Sequence, residues 1–457
     1  MKRTQLFVIL NLFFSVLAAS LIVACGKGSL YSISGQTTVG GSALSGVTMT
    51  LTGKEGRTAT TDANGNYFFG DMPVGTYVLT PSLTGYTFVP STRPVYLDGI
   101  NATAFNFVAT VEGRLATATH TVCVRGDGTV WGWGSNGSGQ LGDGTATDRT
   151  SRVRAAALSG MKAVDAGEDH TVALKSDGKV WTWGNNSHGQ LGNGTTTGSS
   201  APVPVASLTS VIGVAAGYKF TVALKSDGTI WAWGNNGNGQ LGNGSTVNST
   251  VPVQVTGLST AAIAVSAGYD HVLSLQSDNT VRAWGNNSRG QLGNGTTADS
   301  PVPVHVTGLT SAIAVSAGND FSLALITDQT IRVWGSNDKG QLGNGTTTDS
   351  STAVSGSGLS SVVVIAAGDE HAIALKSDGT VCGWGSNSNG QLGNGTATGG
   401  MIAVQVTGLS GVVAVAAGRN DSAAMKNDNT FWTWGSNSNG QLGDGTTTDR
   451  WIPVQAP

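Results

Sequence analysis

The dipeptide Trp-Gly returns seven times along this chain at an almost constant interval, and this repetition restricts the possible folds more than any other feature. The repeated tryptophans are Trp133, Trp183, Trp233, Trp284, Trp334, Trp384 and Trp434. Successive copies lie 50 or 51 residues apart, and the tetrapeptide Gly-Gln-Leu-Gly follows each one. Self-similarity at this period indicates a supersecondary unit that buries its faces only against neighbouring copies of itself.

One repeat can be divided into four short strands. The expected strands are GVAAG (213–217), TVALK (221–225), TIWAW (229–233) and VPVQV (251–255). Asp-Gly between the second and third strands predicts a hairpin with a type I′ turn. Four short strands repeated seven times predict an all-β fold with a seven-bladed β-propeller. An open β-solenoid is the alternative, but a closed ring leaves no exposed end.

The first repeat departs from the others. The segment RLATATH (114–120) lacks the VAVAAG strand that opens later repeats, and the last repeat ends in WIPVQAP (451–457). We therefore expect the first blade to be completed where the two ends of the repeat region meet. The pattern does not indicate which end supplies the strand.

The repeat text AGxxHxxALKSDGTVWxWGxNxxGQLGNG closely resembles the repeats of the regulator of chromosome condensation family, over residues 115 to 457. The resemblance implies a seven-bladed propeller, and relatives include secreted bacterial propellers that act by binding enzymes. The eukaryotic namesake is a guanine-nucleotide exchange factor, so an exchange-like regulator is an alternative function. The namesake's basic tail and wedge-like blade insertion are missing from this sequence.

The first 25 residues are expected to be a signal peptide. Lys2 and Arg3 precede an apolar run from Leu6 to Ala24, which is the layout of an export signal. The run ends in Ile-Val-Ala-Cys, which resembles the lipobox of bacterial lipoproteins and implies a lipid on Cys25. Residue 26 is Gly and not the Asp that retains many such lipoproteins at the inner membrane, so we expect an outer-membrane or cell-surface lipoprotein on the periplasmic or extracellular side. A retained transmembrane anchor and ordinary secretory cleavage are the alternatives.

Residues 26–110 are expected to form a small β-sandwich before the propeller, which then occupies residues 111–457. Short alternating stretches are separated by turn residues, and Asn64-Gly65 predicts a hairpin. The stretch from GNYFF to GYTF resembles the carboxypeptidase regulatory-like and Cna-B-like modules of bacterial surface proteins. That resemblance implies a spacer.

Charge and symmetry argue against several classes of function. The 24 Lys and Arg residues against 27 Asp and Glu residues give no basic excess for nucleic acid. Seven near-copies offer no asymmetric catalytic constellation, so we expect a protein without enzymatic activity or cofactor and take a propeller hydrolase or lyase as the alternative. His120, His170, His271 and His371 share one repeated position, where Phe220, Phe321 and Asp421 stand in other repeats. A metal-binding ring of imidazoles is conceivable, but we interpret these side chains as packing groups and predict no metal site.

Variation between repeats concentrates in the turn after the first strand. In the four-strand scheme this turn shares a face with the GQLG crossing, and the uniform Ser-Asp-Gly turns lie on the opposite face. Variable loops on a fixed frame are typical of a binding surface, although exposed turns also drift. The candidate binding residues are Glu168, Asp169, Tyr218, Lys219, Phe220, Tyr269, Asp270, Asn319, Asp320, Asp369, Glu370, Arg419 and Asn420. The predicted partner is a protein or a glycan, bound by a monomer.

Overall fold

The computed structural model describes residues 30–83, 86–110, 114–356 and 358–456, and these form only strands, turns and connections. They divide into two compact units, one of residues 30–38 with 43–109 and the other of residues 39–42 with 110–456. Within the described ranges, no helix has the length and apolarity that a membrane crossing requires. The predicted lipid site at Cys25 lies outside the described residues.

The smaller unit is a β-sandwich, as the sequence predicted. Its strands are β1 (Leu30–Val39), β2 (Ser42–Ala43), β3 (Thr48–Gly53), β4 (Arg57–Thr60), β5 (Asn66–Pro73), β6 (Gly75–Ser82), β7 (Thr87–Val89), β8 (Arg93–Leu97) and β9 (Phe107–Thr110). One sheet has the order β2-β1-β9-β7, with β5 also paired to β1, and the other has the order β4-β3-β6-β8. Ile33, Met49, Tyr77 and Phe107 are buried in its core.

The predicted hairpin at Asn64-Gly65 is wrong. The backbone does turn there, with Gly65 at a φ of 71° and its N–H donating to the Asp62 carbonyl. However, the flanking strands β4 and β5 belong to different sheets, so the turn crosses the sandwich. A turn sequence specifies a local reversal of the chain and leaves open whether the flanking strands pair.

The larger unit contains seven antiparallel four-stranded sheets, and each sheet is built from four consecutive strands. Blade 1 comprises β10 (Leu115–Thr117), β11 (His120–Val124), β12 (Val130–Gly134) and β13 (Arg149–Arg154), and blade 2 comprises β14 (Met161–Ala166), β15 (His170–Lys175), β16 (Val180–Gly184) and β17 (Ser199–Pro204). Blade 3 comprises β18 (Val211–Ala216), β19 (Phe220–Lys225), β20 (Ile230–Gly234) and β21 (Ser249–Gln254), and blade 4 comprises β22 (Ala262–Ala267), β23 (His271–Gln276), β24 (Val281–Gly285) and β25 (Ser300–His305). Blade 5 comprises β26 (Ala312–Ala317), β27 (Phe321–Ile326), β28 (Ile331–Gly335) and β29 (Ser350–Ser355), and blade 6 comprises β30 (Val362–Ala367), β31 (His371–Lys376), β32 (Val381–Gly385) and β33 (Gly400–Gln405). Blade 7 comprises β34 (Val412–Ala417), β35 (Asp421–Lys426), β36 (Phe431–Gly435) and β37 (Arg450–Ala456).

Blade 1 is not completed by the other end of the repeat region, contrary to our expectation. The segment that lacks the usual opening sequence still supplies an inner strand, β10, which pairs with β11. The last strand, β37, pairs with β36 inside blade 7. The ring therefore closes through contacts between whole blades, each built from consecutive strands.

The turn between the second and third strands of each blade also differs from the predicted type I′. In blade 3, the Gly228 N–H donates to the Lys225 carbonyl at 3.0 Å, and Gly228 has a φ of 79°. Asp227 does not share this positive φ, which a type I′ turn would require. The loop is instead a three-residue connection that ends in a left-handed residue. Asn279, Gln329 and Asn429 take that left-handed position where glycine is absent.

The repeated tryptophan and the Gly-Gln-Leu-Gly sequence meet at every boundary between blades. Each of the seven fully buried indoles donates from Nε1 to the backbone carbonyl of the Gln in the preceding blade, at 2.7–3.0 Å. Trp133 of blade 1 donates to Gln441 of blade 7, so the same bond closes the ring. A Cβ on Gly142 would lie 2.8 Å from the Trp183 Nε1, which explains why glycine follows Gln-Leu.

Candidate functional site: the rim of the central channel

Two sets of loops share one face of the propeller, which we call the rim face. It carries the turns between the first and second strands and the long loops between the third and fourth strands. The Asn185 N–H of a long loop donates to the Asp169 carbonyl of such a turn at 2.7 Å. The Ser-Asp-Gly turns lie on the other face beside the connections between blades, where the Met161 N–H donates to the Gly128 carbonyl. This arrangement is the one that the sequence predicted.

A buried asparagine shapes each long loop of the rim face. In blade 2, Asn186 Nδ2 donates to the carbonyls of Thr195 and Thr197 at 3.0 Å, and its Oδ1 accepts from the Leu191 N–H at 2.9 Å. The same contacts recur at Asn136, Asn236, Asn287, Asn337, Asn387 and Asn437. The asparagine side chain bonds to backbone groups that have no strand partner in this irregular loop, and so holds the loop in one conformation.

Six of the candidate residues surround the mouth of the central channel. Each one directly follows the glycine that ends an inner strand, and the six are Glu168, Tyr218, Tyr269, Asn319, Asp369 and Arg419. They border a cavity of about 230 Å³ whose wall is otherwise made of the small residues of the inner strands. The fold therefore brings together residues that lie up to 251 positions apart in the chain.

Two tyrosines on adjacent blades form a stacked pair at the mouth. The ring centroids of Tyr218 and Tyr269 lie 3.8 Å apart with an interplanar angle of 16°. Lys219 Nζ lies 4.7 Å from the centroid of the Tyr218 ring, which is a cation–π distance. Burial raises the pKa of the Tyr269 hydroxyl, and the neighbouring Tyr218 raises it further. The pair presents a flat aromatic surface at the mouth.

Arg419 bridges two acidic side chains at the mouth. Its Nη1 lies 2.7 Å from Glu168 Oε1 of blade 2, and its Nε lies 3.3 Å from Asp369 Oδ2 of blade 6. Burial raises the pKa of Asp369 to about 7, with Arg419 lowering it and Glu168 raising it. Burial likewise raises the pKa of Glu168, while Glu168 raises the pKa of Arg419. A single guanidinium thus neutralises only part of the charge at the mouth.

Three of the residues that come next in these turns bond to the long loops. Asp270 accepts hydrogen bonds from Gln240 Nε2 at 2.7 Å and Asn238 Nδ2 at 3.1 Å, and burial raises its pKa to about 6. Asp320 accepts from Gln291 Nε2 at 2.9 Å, and Asn420 accepts from Gln391 at 3.5 Å. The other three residues of this set are Asp169, Lys219 and Glu370. Carboxylates outnumber cations among the candidates, so the rim is acidic.

The prediction that Phe220 belongs to the binding face is wrong, because its side chain is completely buried. A Cβ on Gly217 would lie 2.0 Å from the Phe220 ring, which shows that the ring packs directly beneath the turn. The four histidines at this repeated position are buried in the same way. The third residue of the turn therefore points into the boundary between blades.

The histidines have a role that the sequence analysis did not identify. His120, His170, His271 and His371 each bond through Nε2, at 2.7–2.9 Å, to a hydroxyl of the next blade: Thr171, Thr221, Ser322 and Ser422. Phe220 and Phe321 instead precede blades that carry Val272 and Ala372 at the hydroxyl position. The sequence carries this signal as a correlation between consecutive repeats. Where one repeat has histidine, the next repeat has Thr or Ser directly after the same position.

The described residues contain no group of three or more His, Cys, Asp or Glu side chains placed to hold a metal ion. The rim provides a stacked aromatic pair, a paired guanidinium and several carboxyl groups around a narrow opening. These groups are suited to recognition through packing, hydrogen bonds and charge.

Comparison with known proteins agrees with this architecture. The RCC1-like domain model matches residues 153–457, the regulator of chromosome condensation (RCC1) repeat model matches residues 127–174, and the prealbumin-like fold domain model matches residues 32–99. Among solved structures, yeast RCC1 (Prp20) bound to Kap60 is 22% identical with a TM-score of 0.65, over 76% of this chain and 85% of that one. Human WBSCR16 is 23% identical with a TM-score of 0.64, over 72% of this chain and 94% of that one. Prp20p of Saccharomyces cerevisiae, studied for its binding to Gsp1p and histones, is 22% identical with a TM-score of 0.63, over 73% and 87%. At these identities the structures support the fold, and the family match over residues 153–457 shows that this chain belongs to the RCC1-like domain family.

Proposed function

We propose that this protein is an exported scaffold, held at a membrane by a lipid on Cys25, and that the rim of its propeller binds a protein partner. The observation that carries the binding proposal is the convergence of Tyr218, Tyr269 and Arg419 on the channel mouth. Tyrosine and arginine are the residue types that most often dominate protein interfaces. The Kap60 complex of yeast RCC1 supports a protein as partner, since that protein of the same fold is bound to another protein.

The charge of the rim supports a partner segment rich in Lys or Arg. Glu168, Asp270 and Asp369 are partly or largely buried, and burial raises the pKa of each carboxyl group. A cationic side chain at the mouth would stabilise the ionised carboxylates, and the stacked tyrosines would add cation–π contact. Attraction of this kind weakens as salt concentration rises.

The binding proposal predicts a large loss of affinity when single rim residues are truncated. We expect Tyr218→Ala, Tyr269→Ala and Arg419→Ala each to weaken binding about thirtyfold or more, corresponding to about 2 kcal/mol. The measurement is affinity purification of the partner from the native envelope, followed by titration of the purified pair by calorimetry at two salt concentrations.

Two variants on the opposite face serve as controls. Asp278 is an exposed turn residue and Lys376 is a half-buried residue at the end of β31, and Asp278→Ala and Lys376→Ala should leave the affinity unchanged. An equal loss of affinity in the rim and control variants would indicate a general effect on folding. Unchanged affinity in all three rim variants would show that the binding site is not at the channel mouth. Binding to an immobilised glycan that the same rim variants abolish would assign the rim to a sugar.

The anchoring proposal predicts covalent lipid on Cys25. Growth with labelled palmitate should label the wild-type protein and place it in the membrane fraction, because buried acyl chains hold a protein at a bilayer. The variant Cys25→Ser should carry no label, while Cys123→Ser, which removes a buried propeller thiol, should be labelled like the wild type. An unlabelled wild-type protein in the soluble fraction would contradict the anchor and leave the binding proposal intact.

A further inference from the structure

Four of the boundaries between blades contain a short chain of two hydrogen bonds, and in each chain the donor groups supply one proton for every contact. In the boundary between blades 1 and 2, the single Thr171 hydroxyl proton is donated to the Gln140 carbonyl at 2.7 Å. The contact of 2.7 Å between His120 Nε2 and Thr171 therefore uses a proton on the imidazole. Two contacts are thus served by two protons, one of them on a neutral histidine.

The boundary that closes the ring has a different set of groups. Asp421 of blade 7 takes the histidine position, and its Oδ2 contacts the Thr117 hydroxyl of blade 1. Thr117 in turn lies 2.9 Å from the Thr121 hydroxyl, which donates to the Gln441 carbonyl at 2.8 Å. The chain therefore has three contacts, but the two threonines supply only two protons.

We propose that Asp421 is a protonated carboxylic acid in the closed ring, and that loss of this proton loosens the boundary between blades 7 and 1. The carboxyl O–H supplies the third proton by donating to Thr117, which then donates to Thr121. Ionisation releases the proton to solvent and leaves one of the three contacts without a hydrogen. The carboxylic acid thus replaces the imidazole N–H of the other boundaries.

The surroundings of Asp421 favour its neutral form. The side chain is completely buried, and its Oδ1 has no hydrogen-bond partner among the described residues. An unpartnered buried oxygen costs much less when neutral than when charged. Burial raises the pKa of Asp421 well above its usual value, and Asp369 of blade 6 raises it further, whereas the Thr117 hydrogen bond lowers it.

The remaining charged or titratable groups near Asp421 do not neutralise it. Arg419, two residues earlier in the turn, is paired with Glu168 and Asp369. Burial lowers the pKa of His371 to about 4 and that of His120 to about 3, so both imidazoles are neutral at physiological pH. Among the residues that the structure describes, no neighbouring cation therefore compensates an ionised Asp421 directly.

The test is the pH dependence of unfolding, measured by urea titration for the wild type and Asp421→Asn. The stabilisation from a group with a raised folded pKa is complete below its unfolded pKa, near 3.8, and is lost as pH rises through the folded value. The unfolding constant of the wild type, divided by that of Asp421→Asn, should therefore rise by up to about tenfold per pH unit above about pH 4. The amide of Asn donates to Thr117 at every pH and so lacks this dependence.

Asp428→Asn in the same blade is the matched control. Asp428 is exposed and bonds to Thr430, which lowers its pKa, so its contribution is lost as pH falls. The control ratio should not rise above pH 4. A flat ratio for Asp421→Asn between pH 4.5 and 8 would overturn the proposal, as would carbon NMR of labelled aspartates that shows every carboxyl ionised at pH 6.

A double variant tests the same idea without relying on Asn. Thr117 stands where the other blades have glycine, and its side chain fills space beside Gly418 and Asp421 of blade 7, since a Cβ on Gly418 would lie 2.7 Å from Asp421 Oδ1 and 3.0 Å from Thr117 Cγ2. Asp421→His alone should therefore destabilise the ring, whereas Asp421→His with Thr117→Gly should restore stability and reverse the sign of the pH dependence, because burial lowers the pKa of histidines at this repeated position and their stabilisation is lost as pH falls. Hydrogen exchange should report faster opening of β10 and β35 with rising pH in the wild type, relative to the double variant at the same pH. These measurements need no partner, so they can fail or succeed independently of the proposed binding function.

Discussion

Replacing Trp434 by alanine is expected to lower the free energy of unfolding by about 3–5 kcal/mol. The indole is completely buried between blades 6 and 7, and its Nε1 donates to the Gln391 carbonyl at 2.8 Å. Truncation would leave a cavity and deprive a buried carbonyl of a donor at the same time. Urea unfolding followed by tryptophan fluorescence and by circular dichroism would measure the change.

Trp432 provides the matched comparison, because it lies two residues earlier in the same strand. Its side chain is half-buried, and its Nε1 bonds only to the nearby Thr430 hydroxyl. Trp432→Ala should cost clearly less than Trp434→Ala. Equal effects of the two substitutions would show that contact between blades is not what makes the repeated tryptophan important.

Substituting Asn186 by alanine is expected to cost about 3 kcal/mol, since buried polar groups left without partners cost about 1–3 kcal/mol each. The change removes the donor for the Thr195 and Thr197 carbonyls and the acceptor for the Leu191 N–H. The long loop of blade 2 would lose its shape, so hydrogen exchange should increase across residues 186–197. Thermal unfolding would give the corresponding loss of stability.

Ser187 is the control for this loop. It is exposed and adjacent to Asn186, and its hydroxyl bonds only with its neighbours Asn185 and His188. Ser187→Ala should change stability by no more than about 0.5 kcal/mol. Unchanged exchange in the Asn186 variant would mean that the backbone holds the loop without the side chain.

The architecture was predictable because the period and the strand pattern are both local properties of the sequence. In blade 3 the strands Val211–Ala216 and Phe220–Lys225 lie within two residues of those expected. The predicted turn type was wrong because Asp-Gly is compatible with two kinds of loop. A type I′ turn needs a positive φ at both residues, and here only Gly228 has one. The prediction for the closure of blade 1 was wrong because the segment RLATATH (114–120), which lacks the usual opening sequence, still forms the inner strand β10.

The site was harder to predict because side-chain direction within a turn is set by the fold. Tyr218 and Phe220 are two residues apart and both aromatic, yet one faces the channel and the other the boundary between blades. The register of the repeats is the one sequence signal that separates them, because Phe220 stands at the position that histidine occupies in other repeats. The pairing of Arg419 with Glu168 joins two blades that are not consecutive in sequence, and only the closed ring shows that they approach each other.

Because every blade consists of consecutive residues, each one is also a unit that can be copied, removed or moved intact. The chain could be cut in any connection between blades and its original ends joined without dividing a sheet between two segments. A copied blade would bring both halves of its boundary contacts, the indole on one side and the Gln carbonyl on the other. Such a ring can grow by duplication of whole modules, and the aspartate at its closure then distinguishes the last module from the rest.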